Sequence, residues 1–495
     1  MNQAYNQVVD KNKEKSVMFM KKPPVWKRIL ALLLLAAVIC PAAPAAAEEI
    51  IVPTCTQDGY ALMRHPDGTV TARRNAPAPG HSFGPWTFDI RTGKGSHVCQ
   101  VCGTEEVVNV REEGLPRLLL SMDEDSGALW AELSGSTGDV SCPAQVLSAD
   151  IAEDGQSVLS LSLRLLSDDD GTMPLDHVFP GWPADDCYTL TACGADPASV
   201  RAMTVAALWR ETAASRAQLP ERLRMLPFLG GTDGFPLTLW LSGSFSGIYL
   251  WSPRLDGSLF GMYRDENAAV AVSDGRGAGT RFSPSSDGED SGWSVLWKGS
   301  GSGQPVLSRL NQLIHILESG DDATLAHTLS RYLDVDAAID LMILTYALGL
   351  TDTEGTALLY YGEELIPALL GAESAFGAEK GGQSFRDASD SLPKRTNDGK
   401  HWQAGMDHPL FERLLNVFEG RVAERYLALR QTVLTEEHIL SVLDGQMGRI
   451  PAAAYALNAQ LNPEDFSDQE ERARIAAYLR SRLLLLDAAF GGNAE

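Results

Sequence analysis

The stretch "ELIPALLGAESAFG", residues 364–377, joins an apolar run of strand character to a short turn. In a catalytic domain, a turn placed in this way is where metal-binding carboxylates are expected. This one offers a glycine, Gly371, and a single acidic side chain, Glu373. The stretch is therefore either an ordinary loop or an active-site turn that has lost most of its metal ligands.

The chain around this turn changes from strands to helices. Alternating apolar and polar residues predict strands in "RLLLSM", "ALWAELSG" and "SVLSLSLRLLS", and "PLTLWLSGSFSGIYLWSPR" predicts a hairpin. Apolar residues at helical spacing follow, first Leu307, Leu310, Ile314 and Leu317, then Ile339, Ile343 and Ala347. This order predicts an α+β fold with a β-rich N-terminal half and a helix-rich C-terminal half.

Local signals predict several element boundaries. Asp196 is a good N-cap and Pro197 suits the first helical position, so a helix is expected to start there. Further helices are expected after Asp407, Thr435 and Glu470. Polar stretches predict a mobile loop at 273–304, which is rich in Gly and Ser, and a second loop at 378–400.

The N-terminus has the layout of an export signal. Basic residues precede the apolar run "ILALLLLAAVIC" (29–40), and the small residues that follow predict cleavage after Ala47. A lipid-modified Cys40 is disfavoured because Ile39 stands where lipoprotein signals need a small side chain. A stable membrane span is disfavoured because Pro41 ends the apolar run well short of the roughly 20 residues that a spanning helix needs. A secreted or extracytoplasmic location is expected.

The charge of the chain argues against nucleic acid as a partner. Residues 1–47 carry seven basic and two acidic side chains, so their removal takes the formal net charge from −24 to −29. Such a surface repels nucleic acid and anionic lipid.

Residues 48–111 are predicted to form a small module of their own, rich in turn residues. They are similar to the small Cys/His repeats of exported proteins from Gram-positive bacteria, in which a C-x-x-C-G knuckle follows a His and a Trp. A tight C-x-x-C turn lets two thiolates face one tetrahedral ion. Cys99 and Cys102 are thus expected to bind Zn²⁺ together with Cys55 and His81 in a zinc-ribbon-like site.

The cysteines also allow other arrangements. Cys99 and Cys102 could form a disulfide, or the module could merely space the main domain from the envelope. Cys187 and Cys193 are close enough in sequence to close a small loop, but the sequence alone does not fix how the cysteines pair.

Four motifs in the larger part of the chain are similar, in order, to landmarks of the CotH family of secreted and spore-coat kinases. They are "ACGADPASVRAMTVAALW", "LWLSGSFSGIYLW", "YLDVDAAIDLMILTYALGLTDTEGTALLYY" and "LLGAESAFG". The resemblance spans about residues 157–490 and implies an atypical two-lobed protein-kinase-like domain, expected here at 115–490. It also implies ATP with Mg²⁺ or Mn²⁺ as cofactors.

The family's catalytic residues carry over only in part. Asp352 matches the aspartate that would orient or deprotonate a substrate hydroxyl, but no asparagine follows it before residue 364. Gly371 stands at the first aspartate of the family's Trp-Asp-x-Asp motif, and Glu373 stands at the second. Arg164 occupies the strand that should carry the phosphate-binding lysine, and arginine meets phosphate differently from a lysine.

These departures predict a secreted CotH-like pseudokinase that acts as a binding or assembly protein of the cell envelope or spore surface. Its expected partners are envelope or spore-coat proteins. Two alternatives remain. One is a divergent but active ATP-dependent protein serine/threonine kinase that uses Asp352, Glu373 and Arg164. The other is a structural envelope protein that does not bind nucleotide.

Overall fold

A computed structural model describes residues 48–491 of the chain, with short gaps. The gaps are 113, 123–126, 136–137, 152–157, 168–172, 193–195, 197–199, 257–258, 263–265, 274–281, 283–292, 351–354, 362–363, 373, 380–383 and 462–466. The predicted export signal at 1–47 and the two acidic candidates Asp352 and Glu373 therefore lie outside the described residues. The described residues divide into two compact units, residues 48–84 with 99–104, and residues 85–98 with 105–491.

The first unit contains a three-stranded antiparallel sheet. Its strands are β1 (Glu48–Ile51), β2 (Gly59–Arg64) and β3 (Val70–Ala76), with β2 in the centre. The turn between β2 and β3 contains Gly68 at a φ of 83°, a left-handed conformation that glycine adopts without strain. The unit also includes the loop 99–104, which carries the C-x-x-C pair.

The second unit begins with a small three-stranded sheet and a closed seven-stranded barrel. The small sheet has the strands β4 (Thr87–Asp89), β5 (Lys94–Val98) and β6 (Glu105–Asn109). Around the barrel the strand order is β10-β11-β13-β12-β7-β8-β9. The barrel strands are β7 (Arg117–Met122), β8 (Leu129–Ser134), β9 (Val140–Ile151), β10 (Val158–Leu165), β11 (Cys187–Ala192), β12 (Phe235–Leu241) and β13 (Ser244–Pro253).

Side-chain alternation explains the barrel. Along β10, Leu161, Leu163 and Leu165 are buried, whereas the residues between them are half-buried. Because successive side chains of a strand point to opposite faces, the leucines fill the interior and Arg164 lies on the outside. The predicted strands in this region are confirmed.

The predicted hairpin is confirmed as β12 and β13, which pair antiparallel. Its turn is shorter than "SGSFSG" suggests, because only Ser242 and Gly243 lie between the strands. Both have positive φ, 48° and 83°, as a type I′ turn requires. The pairing that the pattern does not predict is parallel, between β12 and β7, and it helps to close the barrel.

A four-stranded sheet and the helices complete the second unit. The sheet has the order β15-β14-β16-β17, formed by β14 (Ala269–Ser273), β15 (Trp293–Lys298), β16 (Thr356–Tyr360) and β17 (Leu365–Leu369). A two-stranded ribbon joins β18 (Lys394–Arg395) to β19 (Trp402–Gln403). The helices among the described residues are α1 (Arg201–Ala214), α2 (Glu221–Arg224), α3 (Gln304–Ser319), α4 (Asp322–Thr328), α5 (Val335–Leu348), α6 (Pro409–Val417), α7 (Glu419–Arg430), α8 (Glu436–Met447), α9 (Ala452–Ala459) and α10 (Asp468–Phe490).

The predicted division into a strand-rich N-terminal half and a helical C-terminal half is confirmed. The helical spacings near residues 307 and 339 correspond to α3 and α5. Within the described ranges no helix is both long and apolar enough to cross a membrane.

Four boundaries differ from the sequence-based expectation. Helix α10 begins at Asp468 rather than after Glu470. Helix α1 begins at Arg201 rather than just after Asp196. The expected loop at 273–304 contains β15, which pairs with β14 and alternates in burial despite its polar surroundings. The strands β4, β5 and β6 belong to the second compact unit, so the expected module end at residue 111 does not coincide with the division between the units.

Helix α5 carries a buried charge in its centre. Asp340 is fully buried, and its carboxylate lies 2.5 Å from the Nε atom of Arg216 and 2.7 Å from the Nε atom of Arg425. These contacts tie α5 to α7 and to the end of α1. Removing one partner of a buried pair is costly because the remaining charges stay desolvated.

We expect Asp340→Asn to lower the free energy of unfolding by about 3–5 kcal/mol, since two arginines lose their counter-ion in the protein interior. Asp336 lies on the same helix and pairs with Arg421, but both side chains are about half exposed. The control Asp336→Asn should therefore cost only about 0–1 kcal/mol. Urea denaturation of both variants measures the difference, and equal losses would contradict the assignment.

Candidate metal centre and ligand cleft

The C-x-x-C pair forms a tight knuckle in the first unit. The N–H of Cys99 donates to the carbonyl of Thr104 at 2.8 Å, and the N–H of Gly103 donates to the carbonyl of Cys99 at 2.9 Å. Gly103 has a φ of 74°, which lets the chain reverse directly after Cys102. The two sulfurs are thereby held on one side of the turn.

Two further segments bring the remaining ligands to the knuckle. The N–H of Gly80 donates to the carbonyl of Cys55 at 3.0 Å, which fixes the segment before His81 against the Cys55 loop. The N–H of Gln100 donates to the carbonyl of Ser82 at 2.8 Å. Cys55 and His81 thus come from separate loops, and backbone hydrogen bonds hold both next to the knuckle.

The four ligand atoms of Cys55, His81, Cys99 and Cys102 all lie within 4.8 Å of one another. The Sγ atoms of Cys55 and Cys99 are 3.8 Å apart, and the Sγ of Cys102 is 3.2 Å from the Nδ1 of His81. Tetrahedral Zn²⁺ with bonds of about 2.3 Å to sulfur places two thiolates about 3.8 Å apart. The distances and the donor set fit a metal ion such as zinc.

Hydrogen bonding sets the protonation of this cluster. The backbone N–H groups of Cys102 and Val101 lower the pKa of Cys99 to about 5, even though Cys99 is buried. A hydrogen bond to Thr104 lowers the pKa of Cys102. Burial raises the pKa of Cys55 to about 11, so a metal ion must displace a proton there. Cys99 is therefore a thiolate at neutral pH, and hydrogen bonding favours the thiolate form of Cys102.

The disulfide alternative does not describe this arrangement. Cys55, Cys99 and Cys102 are all unbonded, as are Cys142 and Cys187. A disulfide would need a distance of about 2.05 Å between sulfurs. Cys193, the other member of the possible small loop with Cys187, lies outside the described residues.

We expect the protein to carry one equivalent of zinc, and Cys102→Ser to lose it because three ligands no longer close the tetrahedron. Cys102 is exposed, so its replacement should not unfold the module directly. Metal content of the purified protein, measured by plasma mass spectrometry, is the test.

The matched control is Cys142→Ser, which changes a cysteine in barrel strand β9 that does not belong to the cluster. It should keep the zinc. A metal-free wild-type protein, or equal zinc loss in both variants, would contradict the site.

The second unit contains a cleft of about 440 Å³ that reaches the turn after β17. One wall is the outer face of barrel strands β11 and β13, which presents Thr189, Thr191 and Ser252. The opposite wall comes from the four-stranded sheet, and the first turn of α1 lies between them. Gly371 and its neighbours Leu370 and Ala372 line the same cleft.

Gly371 is fixed by its backbone and by close packing. Its φ is 140°, a conformation that L side chains rarely adopt. A Cβ atom built there would lie 2.9 Å from the carbonyl oxygen of Ala202 in α1. Gly355, just before β16, is packed even more closely, because a Cβ atom built there would lie 1.8 Å from the carbonyl oxygen of Gly371. A side chain at 371 would therefore displace the first turn of α1.

The structure does not bring the predicted phosphate-binding residue into this cleft. Arg164 lies on the outer face of β10, where its Nε atom is 2.8 Å from the carboxylate of Asp186. Cys187 on the neighbouring strand is the main cause that raises the pKa of Arg164. Arg164 is not one of the residues that line the cleft.

Sequence reasoning missed a buried charge network at the cleft. Asp196 is buried, and its Oδ2 atom accepts hydrogen bonds from the N–H groups of Val200 at 2.6 Å and Arg201 at 2.5 Å. Arg201 is fully buried and pairs with Glu471 of α10 as well as with Asp196. The capping signal at Asp196 was visible in the sequence, whereas the partner Glu471 is too distant along the chain to be inferred.

No protein-family model matches the chain, and no curated protein is significantly similar to it in sequence.

We expect Gly371→Ala to destabilise the second unit, since the new methyl group would clash with the carbonyl oxygen of Ala202. Gly247 is a matched control because its φ of 129° is similar, while its Cβ would make only ordinary contacts from 3.4 Å. Gly371→Ala should cost about 1–3 kcal/mol more than Gly247→Ala, the usual cost of overpacking. Chemical denaturation of both variants tests this, and a larger loss in Gly247→Ala would contradict it.

Proposed function

We propose that this protein is a secreted, CotH-like pseudokinase whose kinase-like domain binds or assembles partners at the cell envelope or spore surface without phosphoryl transfer. A zinc-stabilised module precedes the domain. The proposal combines the predicted export signal, the ordered motifs and the geometry of the cleft.

The order of elements around the cleft supports the kinase-like part of the proposal. Helix α5 is followed by the segment with Asp352, then by the hairpin β16–β17, then by the turn with Gly371. Thr356 pairs with Leu369, so the chain enters and leaves the hairpin at the same end. The two segments expected to carry a catalytic aspartate and metal-binding acids are thereby anchored beside each other, at Gly355 and Gly371.

The observation that carries the pseudokinase proposal is the packing of Gly371. Phosphoryl transfer depends on metal ions that neutralise the phosphates, and these need carboxylates at fixed positions. The family's first metal-binding aspartate would stand at residue 371, where the positive φ and the Ala202 carbonyl leave no space for a side chain. The backbone at residue 371 has a conformation that only glycine adopts without strain.

The position of Arg164 supports the same conclusion. Its guanidinium is engaged by Asp186 and Cys187 on the outer face of the barrel. Binding a phosphate would require it to leave this ion pair and to move into the cleft. Arg164 therefore serves as a structural ion-pair partner and is not positioned to bind phosphate.

We expect the purified mature protein to show neither autophosphorylation nor transfer from radiolabelled ATP to casein in the presence of Mg²⁺ or Mn²⁺. Asp352→Ala should leave this background unchanged, because no metal-bound phosphate is present for Asp352 to act on. A CotH-family kinase of established activity, assayed in parallel, serves as the positive control.

A wild-type signal that Asp352→Ala abolishes would instead establish the divergent kinase with Asp352, Glu373 and Arg164 as its catalytic set. Arg164→Ala separates the roles further. It should not change the background in a pseudokinase, whereas a divergent kinase would lose activity with it.

A further inference from the structure

We propose that the cleft between the barrel and the four-stranded sheet binds a neutral, largely apolar small molecule instead of a nucleotide. The proposal deepens the pseudokinase function and concerns the same cleft, but it rests on the lining of the cleft and not on the absence of phosphoryl transfer.

The walls of the cleft are mainly aliphatic. Six aliphatic side chains contribute to them: Val200 just before α1, Met203 in α1, Leu250 on β13, Leu255 just after β13, and Val272 and Leu296 on the four-stranded sheet. A volume of about 440 Å³ falls in the range of pockets that enclose small organic ligands. Burying an apolar ligand surface against such walls is favourable because both surfaces leave water.

The polar groups of the cleft are suited to a neutral ligand. Thr189 and Ser252 lie opposite each other on β11 and β13, so their hydroxyl groups lie on one wall. A hydroxyl can both donate and accept a hydrogen bond, and it carries no charge. These groups can therefore orient the polar edge of an uncharged molecule while the aliphatic residues hold its body.

The groups that commonly bind phosphate, helix N–H groups and an arginine side chain, are already paired with the protein's own carboxylates at this cleft. The N-terminus of a helix attracts anions through its free N–H groups. In α1 the carboxylate of Asp196 already accepts from the N–H groups of Val200 and Arg201. The guanidinium of Arg201 is fully buried and pairs with Asp196 and Glu471. The protein's own carboxylates occupy the places that a phosphate would need.

The remaining charge at the cleft disfavours an anion. Among the residues that the structure describes, no lysine or arginine lines the cleft, and its one charged lining residue is Asp196. The chain as a whole has a formal net charge of −24. A triphosphate would therefore be repelled by a negative potential with no local cation to offset it, whereas a neutral molecule is not repelled.

The test uses the full mature protein and the neutral dye N-phenyl-1-naphthylamine, whose fluorescence rises in apolar surroundings. We expect saturable binding that excess ATP with Mn²⁺ does not displace. Leu255→Glu and Leu296→Glu should each weaken binding about tenfold or more, because a carboxylate in an apolar wall must be desolvated. Leu296 is 43% exposed, so that substitution should leave the fold intact.

Leu484→Glu is the matched control, because Leu484 is 69% exposed on α10 and does not line the cleft. It should bind the dye like the wild type. Thr189→Trp fills the cleft without adding charge and should weaken binding as well. Circular dichroism confirms that each variant is folded.

Two results would overturn the inference. One is displacement of the dye by ATP with Mn²⁺, which would make the cleft a nucleotide site. The other is that the wild-type protein does not bind the dye, or that the three cleft variants bind it with the same affinity as the wild type. After either result, a negative phosphotransfer assay would leave the pseudokinase proposal standing. If phosphotransfer were observed together with the predicted dye binding, only the pseudokinase proposal would be overturned.

Discussion

The contact between Gly371 and the carbonyl oxygen of Ala202 fixes how the two halves of the second unit meet. It seats the turn after β17 directly on the first turn of α1, with no side chain between them. Gly355 also packs on Gly371, so three backbone segments converge at this end of the cleft. Close packing of this kind leaves the cleft lined by aliphatic residues and hydroxyl groups.

Charges in the same region are organised to satisfy one another. Asp196 caps α1 and pairs with Arg201, Arg201 reaches Glu471, and Arg164 is held by Asp186. In a nucleotide-binding protein, such cations and helix N–H groups would be directed toward phosphate. Here the basic groups stabilise the fold, and the cleft can exclude anions as a direct consequence. Among the described residues, the ligand atoms of Cys55, His81, Cys99 and Cys102 in the first unit lie close enough together to hold a metal ion, and Asp185, Asp186 and Cys187 form a second such group in the second unit.

Local patterns explain why parts of this architecture could be predicted from the sequence. The hairpin β12–β13 and the helices α3 and α5 follow from alternation and helical spacing within single segments. The Cys/His cluster was predictable because the C-x-x-C-G knuckle is local and the choice of additional Cys and His residues was small. Closure of the barrel depends on the parallel pairing of β12 with β7, a contact between distant segments that no local signal specifies. The need for glycine at position 371 could be recognised only from the structure, because the atom that would clash with a side chain, the carbonyl oxygen of Ala202, belongs to α1.

We expect metal ions to bind in the Cys/His module and not in the cleft. Anomalous diffraction from a crystal of the mature protein soaked with ATP and Mn²⁺ tests it most directly. We expect a peak at the zinc edge among Cys55, His81, Cys99 and Cys102, and no manganese peak near Gly371. A manganese peak beside Glu373 with ordered phosphates would contradict it.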